Sequence, residues 1–66
     1  MTRNRIRDFR LAKGLSQAEM AERIGAAETT VSDYERGRRF PRMAYLFAMT
    51  ELLDCTIDDL YPREGR

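Results

Sequence analysis

Apolar residues recur at helical spacing in five short segments of this chain, and glycine or proline separates most of the segments. The pattern predicts helices over residues 3–13, 17–24, 28–36, 42–53 and 57–61. No stretch of four or more residues alternates apolar and polar positions between turn signals, so no strand is predicted. We therefore expect an all-α domain over residues 1–61, followed by a short flexible C-terminal tail at 62–66.

The second predicted helix has the clearest beginning. Ser16 and Glu19 have the spacing of a capping box, in which each side chain accepts a hydrogen bond from the other residue's backbone N–H. Leu15 and Met20 are spaced to form a hydrophobic staple around it, and Gly25 ends the helix. The first and fifth helices have simpler candidate caps, Thr2 and Thr56.

The fourth predicted helix is apolar almost all round, so its orientation is the hardest to predict. We expect the core to take Met43, Leu46, Phe47, Met49 and Leu53. A second apolar stripe consists of Tyr45, Ala48 and Leu52, and predicts a dimer interface made by helices four and five. The alternative is that these three are scattered surface residues.

Composition argues against catalysis and metal binding. The chain has no histidine and one cysteine, Cys55, which excludes an internal disulfide, a Cys/His zinc site and a Cys–His catalytic pair. It also lacks a glycine-rich phosphate loop. We therefore expect no enzyme activity, cofactor or metal, and a core-packing role for Cys55.

No apolar run approaches a membrane span of about 20 residues, and the N-terminus does not resemble a signal peptide, so we expect a cytoplasmic protein without membrane contacts.

Charge is distributed unevenly along the chain. Residues 1–42 carry a net charge of +4 and residues 43–66 a net charge of −3. Eleven of the twelve cationic side chains are arginine, which binds phosphates and guanine edges in a forked geometry. The asymmetry predicts one face for an anionic partner, although a GC-rich genome also enriches arginine.

Three residues around the second and third helices have the spacing of a helix-turn-helix. Ala21 is small enough for two backbones to approach closely, and Gly25 favours the positive φ of a tight turn between the helices. Val31 then fills the crossing from the third helix. This geometry leaves the outer face of the third helix exposed, and such a helix fits the DNA major groove.

The segments GLSQAEMAERIG, TTVSDYERGRRFP and TIDDLY resemble the phage-repressor or Cro-like (XRE-type) helix-turn-helix family, and the resemblance extends over residues 5–61. It implies a compact five-helix bundle of the lambda-repressor-like type. It also implies a transcription regulator, a repressor or autoregulator, that binds an inverted-repeat operator in double-stranded DNA as a homodimer. Phage repressor, restriction–modification controller and antitoxin-type autoregulator all remain open. A protein-interaction module that binds a toxin or another protein is the alternative class.

The resemblance also implies roles for individual residues. The residues that match base-contacting positions of the recognition helix, residues 28–36, are Glu28, Thr29, Ser32 and Asp33. Ser16 and Gln17 match positions that contact the DNA backbone. Arg10 and Glu35 match a structural pair that joins the first helix to the end of the third.

The segment after the recognition helix is rich in arginine. Its members, which we call the arginine loop, are Arg36, Arg38, Arg39 and Arg42. We expect them to contact phosphates; an ordinary charged loop is the alternative, and Arg42 has the further alternative of entering a minor groove.

Two positions depart from the family pattern. Ala27 cannot cap the third helix with its side chain. Asp54 stands where the family often has glycine, which predicts a strained or differently shaped turn before the fifth helix.

Overall fold

The computed structural model describes residues 3–63, which contain five α-helices and no strand. The helices are α1 (Ile6–Ala12), α2 (Gln17–Ile24), α3 (Glu28–Glu35), α4 (Met43–Leu53) and α5 (Ile57–Leu60). The all-α, five-helix prediction is confirmed. The candidate cap Thr2 and residues 64–66 of the predicted tail lie outside the described residues.

The first helix begins at Ile6 rather than at residue 3. The backbone N–H of Arg5 donates to the carbonyl of Leu60 at 2.8 Å, and the side chain of Asn4 accepts from the Ile6 N–H at 3.0 Å. These bonds direct residues 4 and 5 towards α5 and leave them in a non-helical conformation. The earlier start predicted from periodicity is therefore wrong, and its cause is a contact with the other end of the chain.

Two capping boxes fix the beginnings of α2 and α5. The Glu19 N–H donates to Ser16 Oγ at 3.0 Å, and the Ser16 N–H donates to Glu19 Oε1 at 2.8 Å. Thr56 caps α5 as predicted, and Asp59 accepts from the Thr56 N–H at 2.9 Å, a bond that the sequence analysis missed. In both boxes the backbone hydrogen bond to the carboxylate lowers its pKa.

All five helices contribute to one core. Its buried apolar members are Ile6, Met20, Ala21, Ile24, Val31, Tyr34, Leu46, Met49, Leu53 and Leu60. Cys55 is half-buried against this core, which agrees with the expected packing role, and burial raises the pKa of its thiol. None of the described helices is long and apolar enough to cross a bilayer.

The orientation of α4 differs from the prediction at two positions. Leu46, Met49 and Leu53 occupy its core-facing stripe, and the helical repeat turns Met43 and Phe47 away from it. Both side chains are 56% exposed, so the prediction that they face the core is wrong. The residues of the predicted dimer interface lie on the other flank of the helix, are all half-buried and pack against the core of the same chain: Tyr45, Ala48 and Leu52.

Candidate nucleic-acid interface

The helix-turn-helix is built by the packing of α2 against α3. Ala21 and Val31 are almost completely buried where the two helices meet. Gly25 has a φ of +80°, and the Ala26 N–H donates to the Ala21 carbonyl at 2.9 Å, which closes the turn. Because a side chain at Gly25 would be strained at this φ, the glycine determines how sharply α3 departs from α2.

The outer face of α3 carries the four predicted base-contacting residues. Glu28 and Thr29 are exposed, whereas Ser32 and Asp33 are half-buried, and Val31 and Tyr34 occupy the inner face. Within residues 3–63, none of the four side chains makes a hydrogen bond or an ion pair. The polar groups of these four side chains are therefore available to an external partner.

The first turn of α3 lacks a side-chain cap, as the sequence predicts. Ala27 takes the extended cap conformation, with φ −84° and ψ 154°, but offers no acceptor to the free N–H groups that follow it. Glu28 places a carboxylate in the first turn, where it interacts favourably with the helix dipole. The start of α2 has a full capping box and the start of α3 has no side-chain cap, so the start of α3 is held less firmly.

The opposite end of α3 is fixed by a buried network around Glu35. Arg10 Nε donates to Glu35 Oε2 at 2.5 Å, and Arg10 Nη2 donates to Oε1 at 3.1 Å. Arg10 Nη1 also donates to the Leu15 carbonyl at 2.8 Å. The bond to Glu35 raises the pKa of Arg10. Gln17 Nε2 donates to Glu35 Oε1 at 3.0 Å, so one carboxylate joins α1, α2 and α3.

An open cleft of about 370 Å³ lies beside this network. Three arginines and one glutamate contribute to its wall, so the cleft has a net positive charge; its lining residues are Arg7, Arg10, Gln17, Glu35 and Arg36. The sequence analysis missed Arg7. The available signal was its position three residues before Arg10, which places both on one face of α1.

The arginine loop continues the positive surface past the end of α3. Arg36, Arg38, Arg39 and Arg42 are all exposed, and none forms an ion pair with another residue of the described range 3–63. The Arg42 guanidinium lies 5.8 Å from the centroid of the Tyr45 ring, a cation–π contact that restrains the side chain at the start of α4. Ser16, the other predicted contact to the DNA backbone besides Gln17 and the arginine loop, uses its hydroxyl to cap α2.

Comparison with known proteins agrees with this geometry. The helix-turn-helix family model matches residues 6–60. The chain is 35% identical over 60 residues to YazB of Bacillus subtilis, an uncharacterized HTH-type transcriptional regulator, covering 91% of this chain and 87% of YazB.

Two solved structures show the same fold. The P22 c2 repressor in complex with a synthetic operator is similar with a TM-score of 0.83 and 29% identity, covering 88% of each chain. A SinR–SinI protein complex is similar with a TM-score of 0.81 and 31% identity, covering 92% of this chain and 60% of the other; SinR comes from Bacillus subtilis. The family match, the similar regulators and the exposed face of α3 together place this chain in the XRE-type helix-turn-helix family of DNA-binding transcription regulators.

Proposed function

We propose that this protein is a cytoplasmic, sequence-specific transcription regulator, a repressor or autoregulator, that binds an inverted-repeat operator as a homodimer. The observation that carries the proposal is the polar outer face of α3, whose side chains are unengaged within residues 3–63, next to a positive surface at the end of the same helix. The positive cleft and the arginine loop adjoin there, and Arg36 belongs to both. In this proposal α3 enters the major groove, and its first turn meets the base edges.

The two positive surfaces would contact phosphates and so fix the register of α3 on the duplex. Arg7, Gln17 and Arg36 line the cleft, and Arg38 and Arg39 extend from the loop. Such contacts supply affinity without sequence information, and their strength falls as salt displaces the protein from phosphate. The predicted phosphate role of Ser16 would add to its observed role as a helix cap.

Sequence discrimination would then come from the outer face of α3. Glu28 and Asp33 are acidic and repel phosphate, so they favour only sites where a base donates to them. Cytosine N4 is the donor that a carboxylate accepts from in the major groove. We expect Glu28→Ala to reduce discrimination at one base pair more than it reduces overall affinity. Equal weakening across all operator variants would contradict this role.

The decisive experiment selects bound DNA from a random pool at near-physiological salt. The proposal expects an enriched palindrome, whose half-site spacing reports the symmetry of the dimer. With the selected duplex, Arg36→Gln should weaken binding to all sequences alike and reduce the slope of log K against log salt by about one. Arg63→Gln is the matched control, because Arg63 is exposed beyond α5 and outside both positive surfaces. Enrichment of no sequence would contradict the proposal.

A protein partner is the second candidate. The exposed Met43 and Phe47 of α4 favour it, and the similarity to SinR in a complex with SinI gives it a precedent among helix-turn-helix proteins. This alternative predicts tight binding to another protein in the absence of DNA, with no sequence enriched from the random pool.

A further inference from the structure

The middle of the segment that carries the arginine loop, residues 39–41, makes no backbone hydrogen bond within residues 3–63. Backbone bonds hold the segment as far as Arg38, whose N–H donates to the Asp33 carbonyl at 2.9 Å. They resume at Arg42, whose carbonyl accepts from the Leu46 N–H at 3.0 Å. The order of the part between these two points therefore depends on side-chain contacts.

The side chain of Phe40 supplies such a contact. Its ring centroid lies 4.7 Å from that of Tyr61, with the two ring planes inclined by 46°. This separation is within the range of about 4.5–7 Å at which aromatic rings attract each other. Phe40 is 59% exposed, so its ring packs on the surface of the domain and does not enter the core. The next residue, Pro41, is buried, and the two contacts together attach the middle of the segment to the body of the domain.

Tyr61 is a firm support for this contact. Its N–H donates to the Ile57 carbonyl at 2.8 Å, and its half-buried side chain packs against the core. The capping box of Thr56 and Asp59 fixes the beginning of the same short helix. The ring of Tyr61 therefore has a fixed position at the end of α5.

Charge makes an attachment of this kind important. The four side chains of the arginine loop carry the same charge, and like charges along a loop repel each other and favour extended, mobile conformations. Burial raises the pKa of Tyr34, and the positive charges of Arg39 and Arg42 act on this pKa in the opposite direction. Both guanidinium groups are therefore close enough to the aromatic residues beneath the loop to influence them.

We propose that Phe40 and Tyr61 anchor the arginine loop to the end of α5 and so position its arginines for the phosphates of DNA. The proposal rests on the proposed function and adds two positioning residues to it. An arginine on an ordered loop has lost part of its conformational freedom before DNA arrives, so less entropy is lost when the complex forms. Arg39 gains most from the anchor, because it directly precedes Phe40.

Amide ¹⁵N relaxation of the free full chain tests the anchor without DNA. The order parameters of Arg38 and Arg39 should be about 0.85 in the wild type, as in rigid backbone, and should fall below about 0.6 in Phe40→Ala. Tyr61→Leu should loosen the loop in the same way, whereas Tyr61→Phe keeps the ring and should match the wild type. Leu11→Ala is the matched control, because Leu11 is 54% exposed on α1 and outside the loop. Far-UV circular dichroism verifies that the variants fold.

Binding to the selected operator then tests the positioning role. Phe40→Ala should weaken binding to all sequences by about 2- to 10-fold, the range that an aromatic pair supplies. The slope of log K against log salt should keep its wild-type value, because the loosened arginines still reach phosphates, whereas Arg39→Gln should reduce it by about one. In a double-mutant cycle, Phe40→Ala should have little further effect once Tyr61→Leu has removed the other ring.

Three results would overturn the proposal. The first is equal order parameters for the loop in the wild type and in Phe40→Ala. The second is an undiminished loss of affinity from Phe40→Ala in the Tyr61→Leu background, which would mean that Phe40 contacts DNA itself. The third is unchanged affinity in a variant whose loop is mobile. A wild type that binds no duplex refutes the proposed function instead, and the order parameters, measured without DNA, still decide whether the anchor exists.

Discussion

Substitution of Glu35 by alanine removes the acceptor that Arg10 and Gln17 share. The Arg10 and Glu35 side chains are only 8% and 5% exposed, so the variant leaves a guanidinium buried with one protein acceptor, the Leu15 carbonyl. Because the remaining charge has lost its hydration and its counter-ion, the folded state loses stability and the unfolded state does not.

Loss of one partner from a buried pair costs about 3–5 kcal/mol. We expect about 3 kcal/mol for Glu35→Ala, near the lower limit, because the Leu15 carbonyl still accepts from Arg10 and the adjacent cleft admits water. A 66-residue domain has a free energy of unfolding of about 3–10 kcal/mol. The substitution therefore removes between a third and all of the stability.

Urea unfolding followed by far-UV circular dichroism measures this change. The transition midpoint should fall while the slope with urea stays constant, since the surface exposed on unfolding is nearly the same. The double variant Arg10→Met with Glu35→Leu should be much closer to the wild type, because it leaves no unpaired buried charge. A Glu35→Ala variant within about 0.5 kcal/mol of the wild type would refute the reasoning.

Four other predictions, which use five substitutions, test individual features. Ala27→Ser supplies the missing cap of α3 and should raise the free energy of unfolding by about 0.5–2 kcal/mol; no gain in thermal unfolding would show that the first turn needs no cap. Asp54 ends α4 with a φ of +55°, so Asp54→Gly should raise stability by about 0.5–1 kcal/mol in urea titrations. An unchanged or lower stability would contradict the strain attributed to this turn. Within residues 3–63 the buried hydroxyl of Tyr61 has no hydrogen-bond partner, and burial raises its pKa to about 12. Tyr61→Phe should therefore stabilise the fold by about 1 kcal/mol, and a lower melting temperature would argue against an unsatisfied hydroxyl. Backbone hydrogen bonds lower the folded-state pKa values of Glu19 and Asp59 below their ordinary values of 4.5 and 3.8. Each carboxylate therefore stabilises the fold at any pH above its ordinary pKa. This contribution is lost as the pH falls through the lower, folded-state pKa. Melting temperatures of Glu19→Gln and Asp59→Asn should accordingly depend less on pH in this acidic range than those of the wild type, and unchanged pH profiles would count against the two capping boxes.

Local signals predicted α2 almost completely. The reciprocal bonds of Ser16 and Glu19 form within four residues, and Gly25 imposes its turn through its own backbone freedom. The start of α1 is different, because it depends on the bond from the Arg5 N–H to Leu60 at the far end of the chain. A pattern of apolar positions contains no information about such a bond.

The orientation of α4 shows a second limit. Apolar residues surround most of that helix, so its periodicity does not identify a unique inward stripe, and the neighbouring helices select Leu46, Met49 and Leu53. The candidate site has the same limit. The sequence identified the polar face of α3 and the arginine loop, but Arg7 enters the positive cleft only because α1 packs beside α3.

The unequal ends of α3 have a consequence for the thermodynamics of binding. Glu35 anchors the last turn through its bonds to α1 and α2, whereas the N–H groups of the first turn, next to Ala27, have no side-chain acceptor. We therefore expect the first turn to open at a lower free energy than the last. If the first turn meets the bases, part of its conformational entropy is lost only when the complex forms. Binding should therefore release more heat and lose more entropy than binding by a capped recognition helix, and the adaptable turn should tolerate related half-sites that a rigid one would reject.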